Sequence, residues 1–148
     1  GRICLLSKPE DIFLITREMS SHMGNLSHYG GYGINVDSIY NFFSNKNNLN
    51  LYFVYAYLDR EDKIKSSVWW CKNYDARINK KILTEYIWHS IDPKYSIRVF
   101  KESLKHIYQT YKYDVVLTSE TQGIDKLKKI YKKMGFEKEG EIFYRDKS

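Results

Sequence analysis

The chain has 148 residues, 43% of them hydrophobic and 28% charged, which fits one folded domain over 1–148 and is a globular rather than a disordered composition. No run of about 18 apolar residues occurs, so no segment reads as a membrane-spanning helix. The formal net charge of +6 favours anionic partners: a nucleic acid, a membrane surface or a phosphorylated cofactor.

The opening GRICLLSKPEDIF has no long apolar stretch and no small-residue cleavage site, so it does not read as a signal peptide. Gly1 in place of Met suggests a processed or trimmed start. ICLL (3–6) reads as a short strand. SKPE then starts a helix, with Ser7 as N-cap, Pro9 in an early helical position and Glu10 closing a capping box. The helix runs to about Ser21 and turns Ile12, Ile15 and Met19 inward. HMGNLSHYGGYGIN (22–35), with four glycines and no periodic pattern, reads as a loop. Asp37 is expected to cap a short second helix, SIYNFFSN, and KNN to form a turn.

LNLYFVYAYL (49–58) is apolar or aromatic on both alternating faces, as in a strand covered on both sides in the middle of a sheet. DRED turns into KIKSSVWWCK (63–72), making a hairpin. YDARINK is a second turn, KILTEYIWHSI (81–91) a further strand, and Pro93 ends it. SIRVFKESLKHIYQTYK (96–112) spaces Ile97, Phe100, Leu104, Ile107 and Tyr111 along one helical stripe. DVVLTSE (114–120) reads as a buried strand. In GIDKLKKIYKKMG (123–135) the stripe is Leu127, Ile130, Tyr131 and Met134, and Gly135 supplies a left-handed cap. FEKEGEIFYR closes as one or two strands. The order β-α-α-β-β-β-α-β-α-β predicts an α/β (α+β) mixed sheet with helices on both faces, strands 81–91 and 114–120 being parallel neighbours.

Chemistry-bearing residues are few. Cys4 and Cys71 lie in strand-like runs without neighbouring ligands and read as free buried thiols in a reducing compartment. Glu85 and His89 are an even number of residues apart, so a regular strand points them to one side, roughly 13 Å apart at about 3.3 Å per residue. Either can take a proton through water, or be merely a solvated carboxylate and a satisfied core histidine. Thr118, Ser119 and Glu120 end a strand, where open α/β sheets place ligands. His22, His28, Tyr29 and Tyr32 share the glycine-rich loop, but no cysteine or carboxylate cluster completes a metal site. No hydrolase motif occurs, and no recognised motif accompanies the basic charge for nucleic-acid binding. The lysines at 126, 128, 129, 132, 133 and 138 form either a solvated face or an anion site.

The element order, with IYKKMGF in the last helix, resembles the GNAT superfamily of acyl-CoA-dependent N-acyltransferases. Ile130-Tyr131 followed by Gly135-Phe136 is similar to that family's LY-x-x-x-GF ending. KPEDIFLITREM resembles its first helix, and YIWHSIDPKY its fourth strand and cofactor turn. The pattern is especially similar to small GNAT-like proteins of bacteriophages, some of which are thought to be virion components. The resemblance implies acetyl-CoA as cosubstrate and an amine-bearing small molecule or protein as acceptor, in the cytoplasm. It implies Tyr131 as the acid protonating departing coenzyme A, and a base among Glu85, His89 or water. It places the cofactor at Ile91, Lys94, Ser96, Ile97 and Arg98, with Ser119 a weak substitute for an asparagine of the family. One departure stands out. The family's Arg/Gln-x-x-Gly-x-Gly/Ala turn is DPKYSIRVFKE here, without glycine, so either Lys94, Arg98 and Lys101 bind phosphate by side chain or coenzyme A does not bind. The second alternative implies an inactive, tyrosine-rich structural or interaction module, such as a virion component.

Overall fold

The computed structural model describes residues 1–23, 27–28, 32–119, 125–143 and 145–146. The chain divides into two compact units, Gly1–Leu117 and Thr118–Ser148.

In the first unit the strands β1 (Arg2–Leu6), β4 (Tyr52–Leu58), β5 (Ile64–Asp75), β6 (Lys80–Ser90) and β7 (Val115–Leu117) form one sheet in the order β1-β4-β5-β6-β7. All neighbours are antiparallel except β6 and β7, which are parallel. The helix joining them, α4 (Ser96–Thr110), makes the expected crossover. A separate two-residue ladder pairs β2 (Ser27–His28) with β3 (Tyr32–Gly33) inside the predicted loop.

Consecutive side chains of a strand leave on opposite faces, and Trp69 and Trp70 show the result. Both are fully buried. Trp69 joins Ile12 and Ile15 of α1 (Pro9–Met23) and Ile39 and Phe43 of α2 (Val36–Phe43) in one core. Trp70 faces α4, where its indole N–H donates to Ser103 Oγ at 2.9 Å and its ring meets Phe100 at 5.1 Å. Helices therefore cover both faces, which is why β4 reads apolar throughout.

Several boundaries differ from the sequence reading. The Lys8 carbonyl accepts from Asp11 and Ile12, so α1 is capped one residue later than Ser7, with Pro9 opening the helix. Asn35, not Asp37, caps α2, its side chain accepting from the Ser38 N–H at 2.9 Å. The predicted turn at KNN is a short helix, α3 (Lys46–Leu49), capped by Asn45. Its formation delays β4 to Tyr52. Cys4 and Cys71 are free, but only partly buried. Glu120 and the side chains of His22, His28 and Tyr29 lie outside the described residues. No described helix is long and apolar enough to cross a membrane.

The second unit contains α5 (Asp125–Lys133). No strand occurs among the described residues after it, against the prediction for FEKEGEIFYR. Ile142 is 67% and Phe143 87% exposed, so these apolar residues bury no face. The charges and Gly140 between them add little strand propensity.

Candidate active site

The parallel pair is short. Ile82, Leu83 and Thr84 of β6 face Val115, Val116 and Leu117 of β7, and no pair follows. Asp114 fixes the entry: its N–H donates to the Lys81 carbonyl and its carboxylate accepts from the Lys81 N–H, both at 2.9 Å. Beyond Thr84, β6 continues to Ser90, and residues 85–90 have no strand partner on its β7 side among the described residues.

That stretch begins with an irregularity. Trp70 pairs with Glu85 but Trp69 pairs with Ile87, so Tyr86 is an extra residue on β6. A bulge of this kind shifts every later side chain to the other face. Glu85 shares the α4 face with Trp70, whereas His89, paired with Ser67, shares the α1/α2 face with Ile87 and Trp69. The expectation that Glu85 and His89 point to one side is therefore corrected. They stand on opposite faces of the sheet, and His89 is buried.

Glu85 is partly buried, and burial alone pushes its carboxyl up to about 7. Removing a carboxylate from water disfavours its charged form, and among the described residues no cation or hydrogen bond offsets that. A carboxyl with that affinity exchanges its proton near neutrality, as a general base must.

The turn between β6 and α4 is closed by its own bonds. Asp92 caps a 3-10 turn (Pro93–Tyr95), its carboxylate accepting from the Lys94 N–H at 3.0 Å. The Ile91 N–H donates to the Lys65 carbonyl at 2.9 Å and the Tyr95 N–H to that of Asp92 at 3.0 Å. The Ser96 N–H donates to the Pro93 carbonyl. Side chains tighten the turn further. Ser66 Oγ donates to the Tyr95 carbonyl at 3.1 Å, the Trp88 indole to the Ser96 carbonyl at 3.1 Å, and Ser96 Oγ to Ser90 Oγ at 2.6 Å. The Tyr95 ring stacks on Tyr57 at 5.2 Å.

What remains for an anion is side-chain charge. An open hollow of about 500 Å³ is lined by Arg60, Lys94, Tyr95 and Arg98, together with Asp59 and Glu61. Asp59 is held below the usual carboxylate range, chiefly by the Lys63 N–H at 3.0 Å, so it stays ionised among those cations. Arg98 donates to the Tyr57 hydroxyl at 3.3 Å. Ile97 is partly buried.

In the second unit, Tyr131 is buried. Its hydroxyl lies 3.0 Å from Thr118 Oγ1 and 3.4 Å from the Ser119 carbonyl, to which it donates. The residues after it end α5 in a Schellman motif. The Phe136 N–H donates to the Tyr131 carbonyl at 3.0 Å, the Gly135 N–H to that of Lys132 at 3.1 Å, and Gly135 takes φ 88°. The Tyr131 and Phe136 rings meet at 5.5 Å, the apolar contact that accompanies this cap. The lysines at 128, 129, 132 and 133 are exposed.

The bulge at Tyr86 and the capping role of Asp92 were missed from sequence. The Asp92-Pro93 pair is a cap signal that was legible. No residue in TEYIWH marks the bulge.

No family model matches the chain, and no curated protein matches it in sequence. Solved structures do match. A probable acetyltransferase superposes with a TM-score of 0.70 at 14% identity, covering 99% of this chain and 96% of that one. A ribosomal-protein-alanine N-acetyltransferase from Brucella melitensis biovar Abortus gives 0.71 at 7% identity, covering 99% of both. An aminoglycoside acetyltransferase from an uncultured soil metagenomic sample gives 0.71 at 13%, covering 99% and 98%. The chain has the α/β mixed-sheet fold of the GNAT acetyltransferases. At these identities the likeness carries the fold alone.

Proposed function

We propose that the chain is an acetyltransferase, acting as one GNAT-like domain over 1–148, that moves an acetyl group from acetyl-CoA to an amine. The observation that carries this reading is the Glu85 carboxyl, raised to about 7 where the described pairing of β6 with β7 ends. Glu85 takes the proton of the acceptor ammonium, freeing the nitrogen lone pair to attack the thioester carbonyl. As the N–C bond forms and the C–S bond breaks, Tyr131 gives its phenolic proton to the departing thiolate. The nitrogen loses its second proton through water to the resulting phenolate, and Glu85 releases its proton to solvent. A phenol holds its proton at neutral pH. Lys94 and Arg98 attract the cofactor phosphates by side-chain charge, with Ile91, Ser96 and Ile97 forming the wall of the turn and Ser119 meeting the cofactor arm. His89, on the far face, does not serve as the base. The acceptor is a small molecule or a protein amine.

A second reading is favoured by the turn at Asp92–Ser96, whose backbone donors are already engaged. There the chain is an inactive module of the same fold, in the bacteriophage or virion setting suggested by the sequence resemblance. A calorimetric titration with acetyl-CoA, followed by a transfer assay over a panel of amines, separates the two. Saturable binding with acetylated product supports the enzyme. No binding at millimolar acetyl-CoA overturns it.

A further inference from the structure

Helix α4 turns Val99, Phe100, Ser103 and Ile107 into the fold, all four buried. Its opposite face carries Arg98, Lys101, Lys105 and Tyr108, which follow one another at steps of three and four residues and so lie in one line. All four are exposed. Lys112, just past the helix, joins the line: its ammonium lies 4.6 Å from the centre of the Tyr108 ring. That ring, 47% exposed, meets Tyr113 edge-on at 5.0 Å. The Tyr113 hydroxyl donates to the Leu104 carbonyl at 3.1 Å, which anchors this end of the line to the helix. From Arg98 to Tyr108 the line is roughly 15 Å long, at about 1.5 Å per residue.

The charges on this face do not serve the helix. Arg98 stands in the first turn of α4, which holds no acidic residue, and the helix dipole disfavours a cation there. Lys101 and Lys105, four residues apart, repel each other. Glu102 is the sole acidic residue of 96–112, and among the described residues neither it nor Lys101, Lys105 or Lys112 forms an ion pair. Asp114, the next carboxylate along the chain, is engaged by the Lys81 N–H at 2.9 Å. A solvated helix face is stabilised by alternating signs. Here a line of cations stands without counter-charges among the described residues.

We propose that Lys101, Lys105 and Lys112 bind the phosphate backbone of a nucleic-acid duplex, without reading its sequence. Along roughly 15 Å of axis a duplex carries roughly nine phosphates, at one charge per about 1.7 Å, so each lysine of the line meets one. Lysines are point charges suited to phosphate oxygens, whereas acidic peptides are held by the planar forks of arginine. A membrane surface takes up apolar side chains, and α4 has turned its own into the core. The proposal does not rest on the transferase reading, because neither β6 nor α5 takes part.

The test is fluorescence anisotropy with a labelled DNA duplex of about 20 base pairs, titrated with the full chain at salt from about 20 to about 200 mM. Three phosphate contacts give a slope of about −2.7 in log affinity against log salt, a loss of roughly 500-fold over that range. The double variant Lys105→Gln, Lys112→Gln leaves the cations near the cofactor turn in place and should make the slope shallower by about 1.8. Gln keeps the helix propensity of Lys, so the fold is not at stake. The control, Lys128→Gln with Lys129→Gln, removes the same charge from exposed positions of α5 and should leave the wild-type slope. Three results overturn the proposal: no saturable binding at the lowest salt, an unchanged slope in the α4 variant, or an equal change in both variants. Oligoglutamate of equal charge, or phosphatidylserine vesicles, binding as tightly as the duplex would overturn the nucleic-acid assignment.

Discussion

Glu85→Gln keeps the shape of the side chain and removes its ionisation, so it isolates the effect of burying this carboxyl. The native pKa of about 7 lies above the reference 4.5. A raised native pKa means that the fold favours the protonated group. Below pH 4.5 both folded and unfolded chains hold the proton, and Glu85 then behaves like Gln. As pH rises toward 7 the unfolded chain ionises first, and stability is lost until the folded carboxyl ionises too. At about 1.4 kcal/mol per unit, the full loss is about 3 kcal/mol.

Urea unfolding of wild type and Glu85→Gln, in parallel at pH 5, 6, 7 and 8, reads this directly. Other titrating groups, Asp59 and Asp75 among them, change both proteins alike and cancel in the difference. The variant should match wild type near pH 4 and gain on it as pH rises, by about 3 kcal/mol at pH 8. Its transfer activity should move the other way, falling about a hundred- to ten-thousand-fold, and should lose the rise with pH centred near 7. A stability gap that is the same at pH 5 and pH 8 would refute the burial argument. A gap that grows while activity persists would leave the carboxyl buried but remove it as the base.

Tyr131→Phe keeps the ring contact with Phe136 and loses only the bonds of the hydroxyl, so α5 should melt nearly as before, within about 1 kcal/mol by denaturation. If the phenol is the acid, kcat should fall about a hundred-fold or more with KM little changed; a normal kcat leaves Tyr131 as a capping residue. Arg98→Ala should weaken acetyl-CoA binding in calorimetry, and wild-type binding should weaken with salt as exposed charges are screened; an unchanged Kd places the phosphates elsewhere. Asp92→Asn keeps a capping oxygen for the Lys94 N–H and removes a negative charge beside the turn, so acetyl-CoA should bind more tightly with stability nearly constant; equal or weaker binding means that the phosphates do not approach the turn.

The parts of the fold legible in sequence are those governed by local periodicity. The stripe of α4, the run of β6 and the glycine stop of α5 each follow from residues close together in the chain, whereas the buried strand expected over 114–120 is only Val115–Leu117, with Leu117 exposed. The face carrying Glu85 was not legible, because alternation assumes one residue per pleat. In Glu85-Tyr86-Ile87-Trp88 polar, aromatic and aliphatic side chains succeed one another in an order that suits either register. Pairing with β5 decides it, with Trp69 and Trp70 buried on opposite faces. The state of the cofactor turn was half legible. Its lack of glycine is visible in sequence, but the engagement of the Ile91, Lys94, Tyr95 and Ser96 donors depends on Lys65, Asp92 and Pro93 in three dimensions.

The IYKKMGF ending has a sufficient structural cause. Gly135 takes the left-handed cap, Phe136 closes it on Tyr131, and any helix ending this way favours that pattern. Its likeness to acetyltransferases therefore carries fold more than chemistry, and the chemical question shifts to β6 and the turn that follows. There the two halves differ in energetic character. The turn is satisfied: its donors are bonded and its tyrosine is stacked. Glu85 is the reverse, a carboxyl that burial disfavours and that no cation or hydrogen bond among the described residues compensates. An inactive module gains nothing from such a group, since Gln or Leu in its place would cost the fold less. An enzyme lacking a backbone nest can still attract phosphate through Lys94 and Arg98. Side chains can replace the missing glycines, and a buried carboxyl at 85 without a compensating partner among the described residues is the feature that the proposed acetyltransferase would use.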